Sequence, residues 1–179
     1  MIRNLSQWEV LSREEVFCKY NRGIEKVHFR LPSGGETDFF LSTGHPCIAG
    51  LALTKEQQVI LVREYRPGPA RVLLELPGGV IEPGEALETA LARELLEETG
   101  YRGTVTLVTS VLPSAYATYI KHAAVITDCE KVAEPKKEDN GEMVETELMS
   151  LHEFRRHLRT GQMTDVEIGY LGLDYLGLL

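Results

Sequence analysis

The chain has 179 residues, 43% of them apolar, and its 27 acidic against 19 basic side chains leave a formal net charge of −8. That length suits one compact domain with an appendage, and the acidic balance argues against a nucleic-acid partner, because affinity for a phosphate backbone is carried by basic residues. Cys18, Cys47 and Cys129 are odd in number and lack metal or redox spacing, so they read as reduced thiols of a cytoplasmic protein. No charged-then-apolar leader opens the chain, and the apolar C-terminal stretch is interrupted by Asp174; a soluble protein with no membrane partner is expected.

In chain order, Val16–Tyr20, Lys26–Leu31 and Thr37–Leu41 alternate as strands do, separated by Asn21-Arg22-Gly23 and Pro32-Ser33-Gly34-Gly35, which predicts a small antiparallel sheet within residues 1–45. Residues 46–179 then mix strands and helices. Cys47–Leu53 and Gln58–Arg63 read as a hairpin and Val72–Leu76 as a strand running into a glycine turn at Pro77-Gly78-Gly79. A helix follows over Ala86–Thr99, then strands near Thr104–Thr109 and His122–Thr127. After an acidic, proline-containing stretch from Cys129 to Glu142, Thr146–Ser150 reads as a strand, and Leu151–Arg159 and Thr164–Leu178 as helices, with His152 and His157 on a surface. The expected fold is α/β, a mixed sheet sandwiched between helices and preceded by the small antiparallel sheet.

The Ala86–Thr99 helix carries the chemistry. Pro83-Gly84 closes a turn before it, and Gly100 suits the left-handed residue that ends it. At about 100° per residue, Glu94, Glu97 and Glu98 lie on the face that carries Leu87, Ala90 and Leu91 one or two turns earlier, so the acids continue a buried stripe. They crowd the last turn, where the helix dipole repels anions, and they repel one another at i,i+3 and i,i+4. Without a counter-ion this arrangement costs on the order of 1–3 kcal/mol. Arg93 supplies one positive charge but lies about 100° around the helix from Glu94, a position for orienting a carboxylate rather than neutralising three. Clustered carboxylates suit hard divalent cations: Mg²⁺ takes oxygen ligands, keeps several waters and shares its shell with substrate phosphates, and Mn²⁺ accepts a similar site.

The loop ahead of the helix lacks the lysine and spacing of a P-loop and is no dinucleotide fingerprint, while its glycines allow close backbone approach to a ligand. Gly79, Glu85, Arg93-Glu94-Leu95, Glu97-Glu98 and Gly100 resemble, without a gap, the signature of the Nudix hydrolase family; only the final aliphatic position departs, as Tyr101. The resemblance implies the Nudix α/β/α sandwich over 46–179. The strands of residues 1–45 are similar to the arm that ADP-ribose and nucleoside-diphosphate-sugar pyrophosphatases exchange between subunits, which implies a homodimer; a subdomain packed on its own chain is the alternative.

Within that branch the resemblance implies Mg²⁺-dependent hydrolysis of a small nucleotide-sugar, ADP-ribose, GDP-mannose or similar, to a nucleoside monophosphate and a sugar phosphate. Glu94, Glu97 and Glu98 with the Gly78 carbonyl are the implied metal ligands. Arg93 is implied to hold the glutamates, with Glu97 a further catalytic candidate. Glu142, in the acidic stretch, is the implied general base. Among the three arginines of Arg63–Arg71, Arg66 resembles the aromatic-arginine-proline step that helps bind substrate in this branch, with Gly79 beside it as a substrate-binding position. Glu75 reads either as a ligand-facing acid or as a structural partner for Arg66. Tyr116 and Tyr119 read either as stacking groups or as ordinary loop aromatics, and the Ser-Pro-Gly form usual at Leu112–Tyr116 in the ADP-ribose branch is absent. Two other activities stand beside this reading: a non-catalytic nucleotide-sugar sensor, and a Nudix enzyme acting on nucleoside triphosphates or RNA 5′ ends.

Overall fold

The computed structural model describes residues 6–20, 22–136 and 144–179. The chain divides into two compact units, Met1–Pro46 with Leu112–Ile120, and Cys47–Val111 with Lys121–Leu179.

The first unit is a three-stranded antiparallel sheet, β1 (Glu9–Lys19), β2 (Arg22–Arg30) and β3 (Glu36–Gly44), in the order β1-β2-β3. The β2–β3 turn is closed by Gly34 N–H donating to Leu31 O (2.9 Å), with Gly34 at φ 87°, a conformation costly for any residue with a side chain. Strand β1 begins at Glu9, seven residues before the expected Val16. Its early part does not alternate in hydrophobicity; charged side chains pair it to β2 instead, Arg13 with Glu25 at 2.6 Å and Glu9 with Arg30 at 2.9 Å. Trp8, Phe29, Phe39 and Tyr116 form a run of ring contacts at 5.6–6.0 Å. The segment 112–120 joins this unit through Ser42 N–H donating to Tyr116 O (2.7 Å) and Thr118 N–H to Ser42 O (3.0 Å).

The second unit is built on β4 (Cys47–Thr54), β5 (Gln58–Arg66), β6 (Arg71–Glu75), β7 (Gly78–Val80), β8 (Tyr101–Val111), β9 (Lys121–Lys131) and β10 (Glu145–Ser150), with helices α1 (Leu87–Thr99), α2 (Leu151–Leu158) and α3 (Val166–Tyr175). The sheet runs β10-β5-β4-β9-β8, with β6 on β5 and β7 on β4; β4 and β9 are parallel and the other pairs antiparallel. Period-2 alternation divides the apolar strand residues between two cores. Ala49, Leu51, Leu53, Val59, Leu61, Ala123 and Val125 pack with Phe154 and Leu158 of α2 and Ile168 and Leu173 of α3. Ile48, Ala52, Ile60, Ala124 and Ile126 pack with Ala90, Leu91 and Leu95 of α1. The sheet is thus covered on both faces, the α/β/α sandwich. None of the described helices is long and apolar enough to cross a membrane.

Two departures from expectation stand out, the first of them at the site. The expected β4–β5 hairpin pairs only at Ala52↔Ile60 and Leu53↔Val59; beyond that the strands separate, and Gly78 and Gly79, expected within a glycine turn at Pro77-Gly78-Gly79, join Val80 as β7 and pair with β4 through Cys47↔Val80 to Ala49↔Gly78. Gly78 permits this approach, since a methyl group there would overlap the Ile48 carbonyl and Ala49. The second departure is His157, whose Nε2 is buried and without a hydrogen-bond partner among the described residues rather than on the surface.

Candidate active site

Helix α1 is held from both ends of its buried stripe. Leu91 and Leu95 are fully buried against the sheet, and Gly100, at φ 73°, closes the C-terminus by donating to Leu96 O at 2.9 Å. Tyr101, where the signature has an aliphatic residue, is buried in the same core. No basic residue occupies the last turn, so the carboxylates there have no counter-charge from the helix terminus itself.

Each acid of the helix meets a different partner. Glu98 is partly buried, and its Oε2 accepts from the Gly78 backbone N–H at 3.0 Å. Burial raises its carboxyl to about 8; the Gly78 bond opposes this, and the neighbouring Glu94 and Glu64 charges add to it. The carboxylate of Glu94 lies against Gly79, where a methyl group would overlap it; burial raises its pKa too, against the pull of Arg93. Glu97 turns elsewhere: its carboxylate sits 3.6 Å from Arg93 Nη1 and 3.3 Å from Lys136 Nζ, and its carbonyl accepts from Lys136 N–H at 2.7 Å.

Arg93 joins the loop to the helix. It binds Glu85 through Nε (3.0 Å) and Nη2 (3.1 Å), Glu94 through Nη1 (2.9 Å) and the Val80 carbonyl through Nη2 (3.2 Å). Arg93 thus orients the Glu94 carboxylate, and its reach across the helix surface also brings it to Glu85 and within 3.6 Å of Glu97. Its pKa is raised, chiefly by Glu85.

Arg66 lies on the same side of the sheet. Residues at i and i+2 of a strand share a face, so Ile60, Val62, Glu64 and Arg66 line up with Ile60 in the α1-side core. Arg66 donates through Nε to both oxygens of Glu75 (2.9 and 2.8 Å), through Nη2 to Glu75 Oε2, and through Nη1 to Glu64 Oε1 (3.1 Å). Of the two readings of Glu75, its geometry is that of a partner for Arg66. Tyr116 stacks on Phe39 at 6.0 Å and remains exposed. Glu142 lies outside the described residues.

As the side chains stand, no three acidic, histidine or cysteine side chains among the described residues converge as a ready metal cage. The donors nonetheless fit a hard divalent ion. Mg²⁺ needs only one or two carboxylates plus water and substrate phosphates, and Glu94 and Glu98 offer two hard oxygen ligands on neighbouring turns, both with carboxyls raised chiefly by burial. Glu64 and Lys136 escaped sequence reasoning. Period-2 spacing from Arg66 was a signal for Glu64; nothing in the spacing pointed to Lys136.

A three-layer α/β domain that sets half-buried glutamates of a helix C-terminus against a two-glycine strand defines a class of hydrolase, and the NUDIX domain model matches residues 44–167. The chain belongs to the Nudix hydrolase family, and it is a pyrophosphohydrolase. It is 27% identical over 172 residues to the ADP-ribose pyrophosphatase of Bacillus subtilis (strain 168), covering 95% of this chain and 92% of that one. It is 25% identical over 177 residues to the methanol dehydrogenase activator of Bacillus methanolicus, covering 97% and 95%. A solved structure of an ADP compounds hydrolase superposes with a TM-score of 0.82 at 21% identity, over 99% of this chain and all of that one, and shows the shared fold.

Proposed function

We propose that the protein hydrolyses the diphosphate of a nucleoside-diphosphate sugar, ADP-ribose, GDP-mannose or a similar compound, to a nucleoside monophosphate and a sugar phosphate, with Mg²⁺ as the working ion and Mn²⁺ as a substitute. The observation that carries this reading is the placing of two half-buried carboxylates against the Gly78–Gly79 strand, Glu98 accepting from Gly78 N–H at 3.0 Å and Glu94 filling the space beside Gly79. Burial raises both carboxyls, and a cation between them would favour their ionised forms. The full-length similarity to an ADP-ribose pyrophosphatase supports a nucleotide-sugar as the substrate.

Glu94 and Glu98, with the Gly78 carbonyl, would hold the ion, and Glu97 would join them on leaving Lys136. Bound there, the ion would clamp the diphosphate, lower the pKa of the attacking water and neutralise charge on the leaving phosphate. The chain's own residues do the rest. Arg93 fixes the Glu94 carboxylate and, through Glu85 and the Val80 carbonyl, keeps the loop in register with the helix. Gly79 leaves the space that the Glu94 carboxylate fills. Arg66 binds the diphosphate oxygens, and Glu142 is the candidate base that takes the proton of the attacking water as the P–O bond to the leaving phosphate breaks. A cytoplasmic homodimer formed through the N-terminal sheet completes the reading; that sheet exposes Phe17, Ile24 and Phe40.

Incubation of the purified protein with a panel of nucleotide-sugars and nucleoside triphosphates, with products identified by mass, tests this. A nucleoside monophosphate and a sugar phosphate appearing only with Mg²⁺ or Mn²⁺ are expected. Cleavage of triphosphates alone, or binding without cleavage, would contradict it.

A further inference from the structure

Resting on that reading of the site, we propose that Glu75 is a positioning residue that aims the Arg66 guanidinium at the substrate diphosphate. Glu75 is 3% exposed, and a buried carboxylate must be partnered. Strand register sets its partner. Val62↔Glu75, Glu64↔Leu73 and Arg66↔Arg71 are opposed across β5 and β6, so Glu75, Glu64 and Arg66 point to one face, and Arg66 reaches back along β5 over Glu64 to meet Glu75.

Counting donors shows what is left for a ligand. A guanidinium has five N–H groups in a fixed fork. Nε–H and one Nη2–H face Glu75, and one Nη1–H faces Glu64. Among the described residues one N–H on each of Nη1 and Nη2 is left over, two donors that can take oxygens of a phosphate. The Arg66 side chain is 37% exposed while that of Glu75 is 4% exposed, so the carboxylate that holds the guanidinium is buried and the arginine keeps access to solvent. An arginine on an open strand would search many rotamers; clasped side-on by a buried acid, it presents its free edge in one orientation. Lysine cannot reproduce this, because it lacks the fork.

The test is steady-state kinetics on the wild type, Glu75→Gln, Arg66→Lys and the double variant, with melting curves for each. Glu75→Gln should raise KM for the nucleotide-sugar about tenfold, the loss expected for a charge-assisted hydrogen bond, with kcat within about threefold. The double variant should be no worse than Arg66→Lys alone, since Glu75 acts through Arg66. A purely structural role would instead lower melting temperature and kcat together and add to the Arg66→Lys effect, and that result overturns the proposal. Should Glu75→Gln fail to fold, Glu75→Asp keeps the charge and loses the side-on reach, and the same KM shift is expected. A wild type that cleaves nothing in the panel sinks the site reading and this inference with it; an active wild type with an unaltered KM in the folded Glu75 variants sinks the inference alone.

Discussion

Glu98 stores a pH-dependent cost in the metal-free protein. Its folded pKa is raised, to about 8, above its ordinary value of 4.5, so its contribution to stability is fully present below the unfolded pKa and is lost as pH rises through the folded one. Between pH 4.5 and 8 the stability of the metal-free wild type should therefore fall relative to Glu98→Gln, whose side chain does not titrate. Urea unfolding at several pH values in chelator checks this, and a constant difference between the two proteins across that window would show that Glu98 is not perturbed. Added Mg²⁺ should flatten the difference for the wild type, because an ion that joins the carboxylate removes the reason for its raised pKa. Much of this residue chemistry was legible in the sequence: helical spacing set Glu98 behind Ala90 and Leu91, and both of these are buried. What periodicity could not show is where a carboxylate turns at the end of its side chain. Glu97 shares the stripe, yet Arg93 and Lys136 hold it, and Lys136 comes from a segment far along the chain.

At the scale of elements, the C-terminal end of α1 is the junction on which the site depends. Gly100 stops the helix in the left-handed region and also accepts, through its carbonyl, from Val132 N–H at 2.9 Å and Ala133 N–H at 3.1 Å. An added methyl group would collide with the Ala133 carbonyl. The φ penalty alone is about 1–2 kcal/mol, so Gly100→Ala should lower unfolding free energy by at least about 2 kcal/mol with the clash included. A variant as stable as the wild type in denaturant titration would contradict the tight junction. The helix and its stop were readable because capping and periodicity are local. Strand β7 and the early half of β1 were not. The first has glycines where strand propensity wants branched side chains, and its pairing depends on how closely β4 can be approached; the second is paired by cross-strand ions in place of an apolar face.

For the molecule as a whole, mixed strand and helix order pointed to the sandwich, since alternating faces on β4, β5 and β9 require cover on both sides. The assignment of 112–120 to the N-terminal unit was invisible, because it rests on backbone hydrogen bonds between Ser42 and the 116–118 segment that carry no signal in residue type. The proposed homodimer belongs to this scale. Sedimentation of the full chain should give twice the chain mass, and a chain that stays monomeric at concentrations where it is active would rule the dimer out.

The most direct measurement is Mn²⁺ binding followed by electron paramagnetic resonance near neutral pH, on the wild type and on Glu98→Gln in parallel. The wild type is expected to remove free Mn²⁺ from solution and to release protons as it does so, while Glu98→Gln, still folded, loses most of that affinity. Equal binding by the two proteins, or none by the wild type at millimolar Mn²⁺, would contradict the claim that the glutamates at the end of α1 are there to hold a divalent ion.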